Sequence, residues 1–93
     1  MEISYDAEKR EWTLRERGLD FEDAVHVFAG PEYTILDDRF DYGEERFQTY
    51  GLLEGRLVTL VWTPRGGGRH IISMRKCNDR EKKRYEAQLG RSG

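Results

Sequence analysis

The sequence predicts an α+β sandwich: a single antiparallel meander sheet with N-terminal helices and a C-terminal helix, built by residues 1–93 as one domain. Three observations predict it. Helical periodicity framed by capping signals fills the first third of the chain, three strand-like runs joined by short turns follow from Arg46, and a capping-box pair opens a last helix at Asn78. Ninety-three residues suffice for one core, not for a second domain.

The elements follow in order. EISY near the N-terminus reads as a short strand, and Asp6 stands where an N-cap would, accepting from the free amides of a helix over about 7–17. Gly18 predicts a left-handed stop of the Schellman kind, with Leu19 folding back on Leu14. Asp20 caps a second helix whose Phe21, Ala24, Val25 and Phe28 form one apolar stripe, and Gly30-Pro31 ends it. After YTIL comes DDRFDYGEE, an acidic loop without periodicity.

RFQTYGLL, RLVTLVWT and RHIISMRK then alternate as strands, joined at Glu54-Gly55 and through PRGGG, the latter a flexible hairpin connection lacking the ending of a phosphate-binding loop. In the middle run Val58, Leu60 and Trp62 share one face and Leu57, Thr59, Val61 and Thr63 the other, as in a central strand. Asn78 and Glu81 head the last helix, which ends near Gly90, with Tyr85 and Leu89 as its anchors and a frayed tail beyond.

Charge divides the chain. Residues 1–45 carry 5 Lys+Arg against 14 Asp+Glu, a net of −9, and residues 46–93 carry 11 against 4, a net of +7. A basic surface suited to phosphate and a merely neutralising pair of halves both fit that split. Cys77 is the sole cysteine, which excludes an internal disulfide and, with His26 and His70 as the only histidines, a Cys/His zinc site; no cofactor or metal is expected. MEISYDAEKR has no apolar signal region and no run reaches membrane-spanning length, so a cytoplasmic protein with no membrane partner is expected.

The succession WTLRERGLDFEDAVHVF, GEERFQTYGLLEGRLVTLVWT and RHIISMRKCNDREKKRYE resembles the BrnT family of type II toxin–antitoxin ribonucleases over nearly the whole chain. The resemblance implies a RelE-like fold and an endoribonuclease toxin that inhibits translation. It implies neutralisation by a BrnA-like ribbon-helix-helix antitoxin, through which operator DNA is reached indirectly. Many members carry Lys-His-Gly where this chain has Glu16-Arg17-Gly18. A mechanism resting on that imidazole does not transfer, and a non-catalytic RNA- or antitoxin-binding domain acting as a co-repressor subunit is the alternative.

Metal-independent RNA cleavage needs a base for the 2′-hydroxyl, cations for the pentacovalent phosphate and an acid for the leaving oxygen. Arg46, Arg69 and Arg75 lie at strand ends that a meander can gather, and guanidinium forks suit phosphate. Alternation sets His70 on the face of Ile72 and Met74, favouring a partly buried structural role over that of a base. Glu45 is placed to orient Arg46 or act as a base. Lys76, Arg80, Lys83 and Arg84 form a candidate RNA-binding strip, on which Tyr85 either stacks on a base or anchors its helix.

Overall fold

The computed structural model describes the backbone of residues 2–92 and side chains as far as Gln88. Strand β1 (Ile3–Tyr5) leads into α1 (Ala7–Arg17), a 3₁₀ turn (Phe21–Asp23) and α2 (Ala24–Ala29). Strands β2 (Glu32–Leu36), β3 (Phe47–Leu53), β4 (Arg56–Arg65) and β5 (Gly68–Lys76) follow, and α3 (Asp79–Ser92) closes the chain. The α+β class stands.

The sheet is not a pure antiparallel meander. It is a five-stranded mixed sheet in the order β1-β5-β4-β3-β2, in which β1 pairs parallel with β5 and the other pairs are antiparallel. The outer edge of β5 would otherwise hold unpaired amides; instead β1 covers it, beginning with Arg69 N donating to Glu2 O at 3.0 Å. YTIL becomes the opposite edge, extended by Glu32.

Asp6 caps α1 as its position predicts, accepting from the amides of Glu8 and Lys9. The helix ends with Gly18 at φ 69°, and Gly18 N donates to Leu14 O at 3.1 Å. That bond makes the stop an αL motif, not a Schellman one. Leu19 enters the core while Leu14 stays exposed. The second helix is shorter than its stripe suggests, because Phe21–Asp23 form a tighter 3₁₀ turn. This rotates Val27 into the core alongside Phe21, Ala24 and Phe28, and leaves Val25 half-buried.

One core lies between these helices and the sheet face that carries Val58, Leu60, Trp62, Ile71 and Met74. A Cβ on Gly51 would stand 2.7 Å from Val27 Cγ1, so the glycine lets α2 sit directly on β3. The buried Trp62 and Thr49 are paired there: Trp62 Nε1 donates to Thr49 Oγ1, which also meets Thr34 Oγ1, both at 2.8 Å. The PRGGG segment is a tight turn, Gly66 and Gly67 at φ 58° and 81° spanning the paired residues Arg65 and Gly68.

A second, smaller cluster of Tyr50, Leu57 and Tyr85, with Tyr33, Ile35 and Cys77 against it, lies under α3 on the other face. The capping box forms, Glu81 N to Asn78 Oδ1 at 2.9 Å and Asn78 N to Glu81 Oε1 at 3.0 Å. The helix runs to Ser92, past the expected stop at Gly90. The expected anchor Leu89 and the tail lie outside the described side chains.

Candidate active site

A single extra residue decides what the second face carries. Val61 pairs with Ser73, but Trp62 pairs with Ile71, so Ile72 is a bulge in β5. Side chains before the bulge change faces relative to strict alternation. Ile71 and Met74 therefore both enter the core, and His70, paired with Thr63, joins the opposite face. The expectation that His70 shares a face with Met74 fails for this reason.

His70 is half-buried and belongs to neither core cluster. Ser4 Oγ lies 2.9 Å from His70 Nδ1, which the parallel pairing of β1 with β5 makes possible. Thr63 Oγ1 donates to Glu45 O at 2.7 Å and to Glu44 Oε2 at 3.3 Å, pinning the end of the acidic loop onto the strand. Glu44 in turn faces two cations, Arg46 Nη2 at 3.5 Å and Arg65 Nη2 at 3.9 Å. The Arg46 guanidinium also lies 4.0 Å from the centroid of the Tyr42 ring, while its buried Nε makes no hydrogen bond.

Partial burial, followed by the nearby positive charge of Arg65, pushes the His70 pKa below the ordinary histidine value. The imidazole is neutral at pH 7 and able to accept a proton. Neutral imidazole, two incompletely paired guanidinium groups and a carboxylate thus meet at one end of the sheet.

The loop bearing Glu44 and Arg46 is fastened at its start. Asp37, 4% exposed, accepts from Arg39 Nε at 2.7 Å and Nη2 at 3.0 Å, and from the Tyr42 hydroxyl at 3.4 Å. The Arg39 fork holds the Asp37 carboxyl down to about 2.

The predicted arginines are not gathered together. Arg75, paired with Thr59, shares the second face with Arg46 but stands roughly 13 Å from the level of Thr63, four residues at about 3.3 Å each. Its two Nη atoms are taken by Glu81, at 2.8 and 2.6 Å. Arg69 is on the core face, its guanidinium 4.3 Å from the centroids of both Phe28 and Trp62. It closes the core's rim.

Lys76, paired with Val58, extends from the core-face side, while Arg80, Lys83 and Arg84 are exposed on α3. Tyr85 is 4% exposed and its hydroxyl donates to Pro31 O at 2.9 Å, so it anchors α3 and its ring cannot stack on a base. The carboxylate beside Arg46 is Glu44; Glu45 contributes its backbone carbonyl. Arg17, where the resemblance implies a histidine, stacks on Trp12 at 5.0 Å and donates to Met74 O at 3.0 Å, which ties α1 to β5.

Sequence reasoning missed Ser4, Glu44 and Arg65. Arg65 had a signal, as the residue before a two-glycine turn and on the alternation face of Thr63. Ser4 had none, because nothing local announces that β1 pairs with β5.

Among the described residues no three His, Cys, Asp or Glu side chains converge to hold a metal ion, and no helix is long and apolar enough to cross a membrane. A cleft of ≈ 550 Å³ lies between α3 and the β3–β4 hairpin, lined by Leu52, Leu57, Cys77, Lys82 and Tyr85 among others, and includes none of the His70 cluster. No curated protein sequence matches the chain. The family model for the ribonuclease toxin BrnT of type II toxin–antitoxin systems matches residues 5–81, most of the chain, and the chain belongs to that family.

Proposed function

We propose that the chain is a metal-independent endoribonuclease that inhibits translation, and that it cuts RNA at the open end of the second sheet face. The observation that supports this most is the placing of His70, held by Ser4, across Thr63 from the group in which Glu44 faces both Arg46 and Arg65. His70 takes the 2′-hydroxyl proton, O2′ bonds to phosphorus as the P–O5′ bond breaks, and the leaving 5′ oxygen takes a proton from solvent. The products are a 2′,3′-cyclic phosphate and a 5′-hydroxyl. Arg46 and Arg65 stabilise the charge that builds on the phosphoryl oxygens, and Glu44 orients both guanidinium groups.

Arg80, Lys83 and Arg84 supply phosphate contacts along the RNA, and Lys76 supplies a further one from the sheet's other side. Arg75 ties β5 to α3 through Glu81, away from the cluster, and Arg69 acts through the core it closes. The sheet flanked by helices supports the RelE-like kinship that the sequence suggests. As a type II toxin, the chain has an antitoxin partner. That partner is a BrnA-like ribbon-helix-helix protein which carries the pair to operator DNA in the cytoplasm.

Incubating the purified chain with RNA in excess EDTA tests this reading. Fragments ending in cyclic phosphate are expected, and they should disappear with His70→Ala. Intact RNA, with binding retained, would return the chain to a silent binding or co-repressor role.

A further inference from the structure

Strand β2 is the last of the sheet, and its hydrogen bonding fixes which groups it leaves unused. Asp37 N donates to Arg46 O at 2.7 Å, one step past the Leu36–Phe47 pair. Hydrogen-bonded pairs alternate along an antiparallel ladder. Tyr33 and Ile35 therefore turn their N–H and C=O groups toward β3, while Glu32, Thr34 and Leu36 turn theirs outward. Such an edge is a template for another extended chain.

Directly beyond it, Leu36 and Phe40 are 51% and 70% exposed. They line a shallow bowl of ≈ 400 Å³ together with Asp38, Asp41, Glu45 and Arg46, among others. Phe40 is held edge-on against Tyr42, with centroids 5.8 Å apart, so the apolar wall is positioned and not merely dangling. The bowl and the strand edge share Leu36.

Charge selects the occupant. A second copy pairing antiparallel about Thr34 would set each Glu32 beside the other copy's Leu36 and the acidic loop that follows it, placing like charges together. RNA phosphates would meet Asp38, Asp41 and Glu45. An extended segment with alternating apolar and basic side chains satisfies the outward amides, the apolar wall and the carboxylates at once.

We propose that the β2 edge and the Leu36–Phe40 bowl dock an extended, basic and apolar segment of the neutralising antitoxin, which adds a strand to the sheet. This rests on the toxin reading above and names the surface on which neutralisation acts. The bowl includes Arg46 and the loop that carries Glu44, so an occupant there restrains the groups assigned to cleavage.

A short synthetic peptide alternating lysine and valine is the probe, with amide hydrogen exchange of the full chain as the readout. Exchange at Thr34 and Leu36 should slow by about tenfold or more, with Ile35, already bonded to β3, little changed. Phe40→Asp, at an exposed site, should weaken binding by about tenfold or more. Thr34→Pro, which removes an outward N–H and no ladder bond to β3, should do the same.

Absence of protection at Thr34 and Leu36 at millimolar peptide overturns the proposal, as does equal binding of a peptide alternating glutamate and valine. Protection of those amides in the peptide-free chain that vanishes on dilution would give the edge to a second copy. A short RNA that displaces the peptide from Phe40 would give the bowl to RNA. Since no arm requires RNA cleavage, an inactive wild-type chain sinks the ribonuclease reading and leaves this test standing.

Discussion

The two ends of the second sheet face both hold an arginine beside a glutamate, and they are built for different ends. At the covered end Arg75 gives both Nη atoms to Glu81 at 2.8 and 2.6 Å, and Glu81 also caps α3. At the open end the nearest contact of Arg46 with Glu44 is 3.5 Å, and Glu44 is shared with Arg65 and Thr63. A saturated fork is a structural tie; an unsaturated one can still bind an anion. What separates a catalytic candidate from a strut here is how completely its partner uses it, which residue type does not disclose.

The largest effect that tests this contrast is expected at His70. Replacing it with Ala should lower RNA cleavage by about a hundred- to ten-thousand-fold, the range for losing a general base. The fold should survive, since the ring lies outside the core cluster. A base must be neutral to act, and the His70 pKa is depressed by burial and by Arg65. The wild-type rate should therefore rise with pH through an acid limb lying below ~6.5 and then level off. An unchanged rate for the variant, or a limb well above that value, would dissolve the open end as the cutting site.

Next in size is the arginine pair itself. Arg46→Ala should reduce the rate by about a hundredfold with little change in melting temperature. Arg75→Ala should do the reverse, costing about 1–2 kcal/mol of stability once its partial exposure is discounted, and leaving most of the rate. Rate assays and thermal melts on both variants distinguish the two roles. Equal rate losses with equal stability would make the two ends one site.

Most of the fold was legible, because capping and turn signals are local. Asp6, Gly18, Asn78 with Glu81, and the Glu54-Gly55 turn each act through atoms a few residues away, and each forms. The face of His70 was not legible, since it depends on a bulge at Ile72 that a two-residue alternation cannot reveal. Nor was the place of β1, which is a pairing across most of the chain. Arg69 misled for a related reason: its guanidinium lies between Phe28 and Trp62, rings brought to it from α2 and from β4.

Acid should act on the covered end through Glu81, whose carboxyl the Arg75 fork holds down to about 2 from an ordinary value of 4.5. A carboxylate with a depressed folded-state pKa adds stability above its unfolded value, and that stability is lost as pH falls through the folded one. The docking of α3 should thus weaken progressively between about pH 4.5 and 2. Glu81→Gln should flatten that slope in acid titrations followed by circular dichroism. Asp37, also held near 2 by Arg39, should leave a residual slope in the variant. A wild-type profile indifferent to this substitution would mean that the tie at the covered end contributes nothing.

The smallest effect expected is at the hydroxyl of Tyr85. Its ring is buried against Tyr50 and Leu57, and its oxygen reaches Pro31 O at 2.9 Å across the sheet edge. Tyr85→Phe keeps the ring and removes one neutral hydrogen bond, a loss of about 1 kcal/mol. Tyr85→Ala removes the ring as well and should cost about 3–5 kcal/mol, the range for emptying a packed aromatic site. If Tyr85 serves only to hold α3, Tyr85→Phe cleaves RNA at the wild-type rate with unchanged KM. A raised KM in that variant, at unchanged melting temperature, would mean that the hydroxyl meets substrate and that the covered end opens during the reaction.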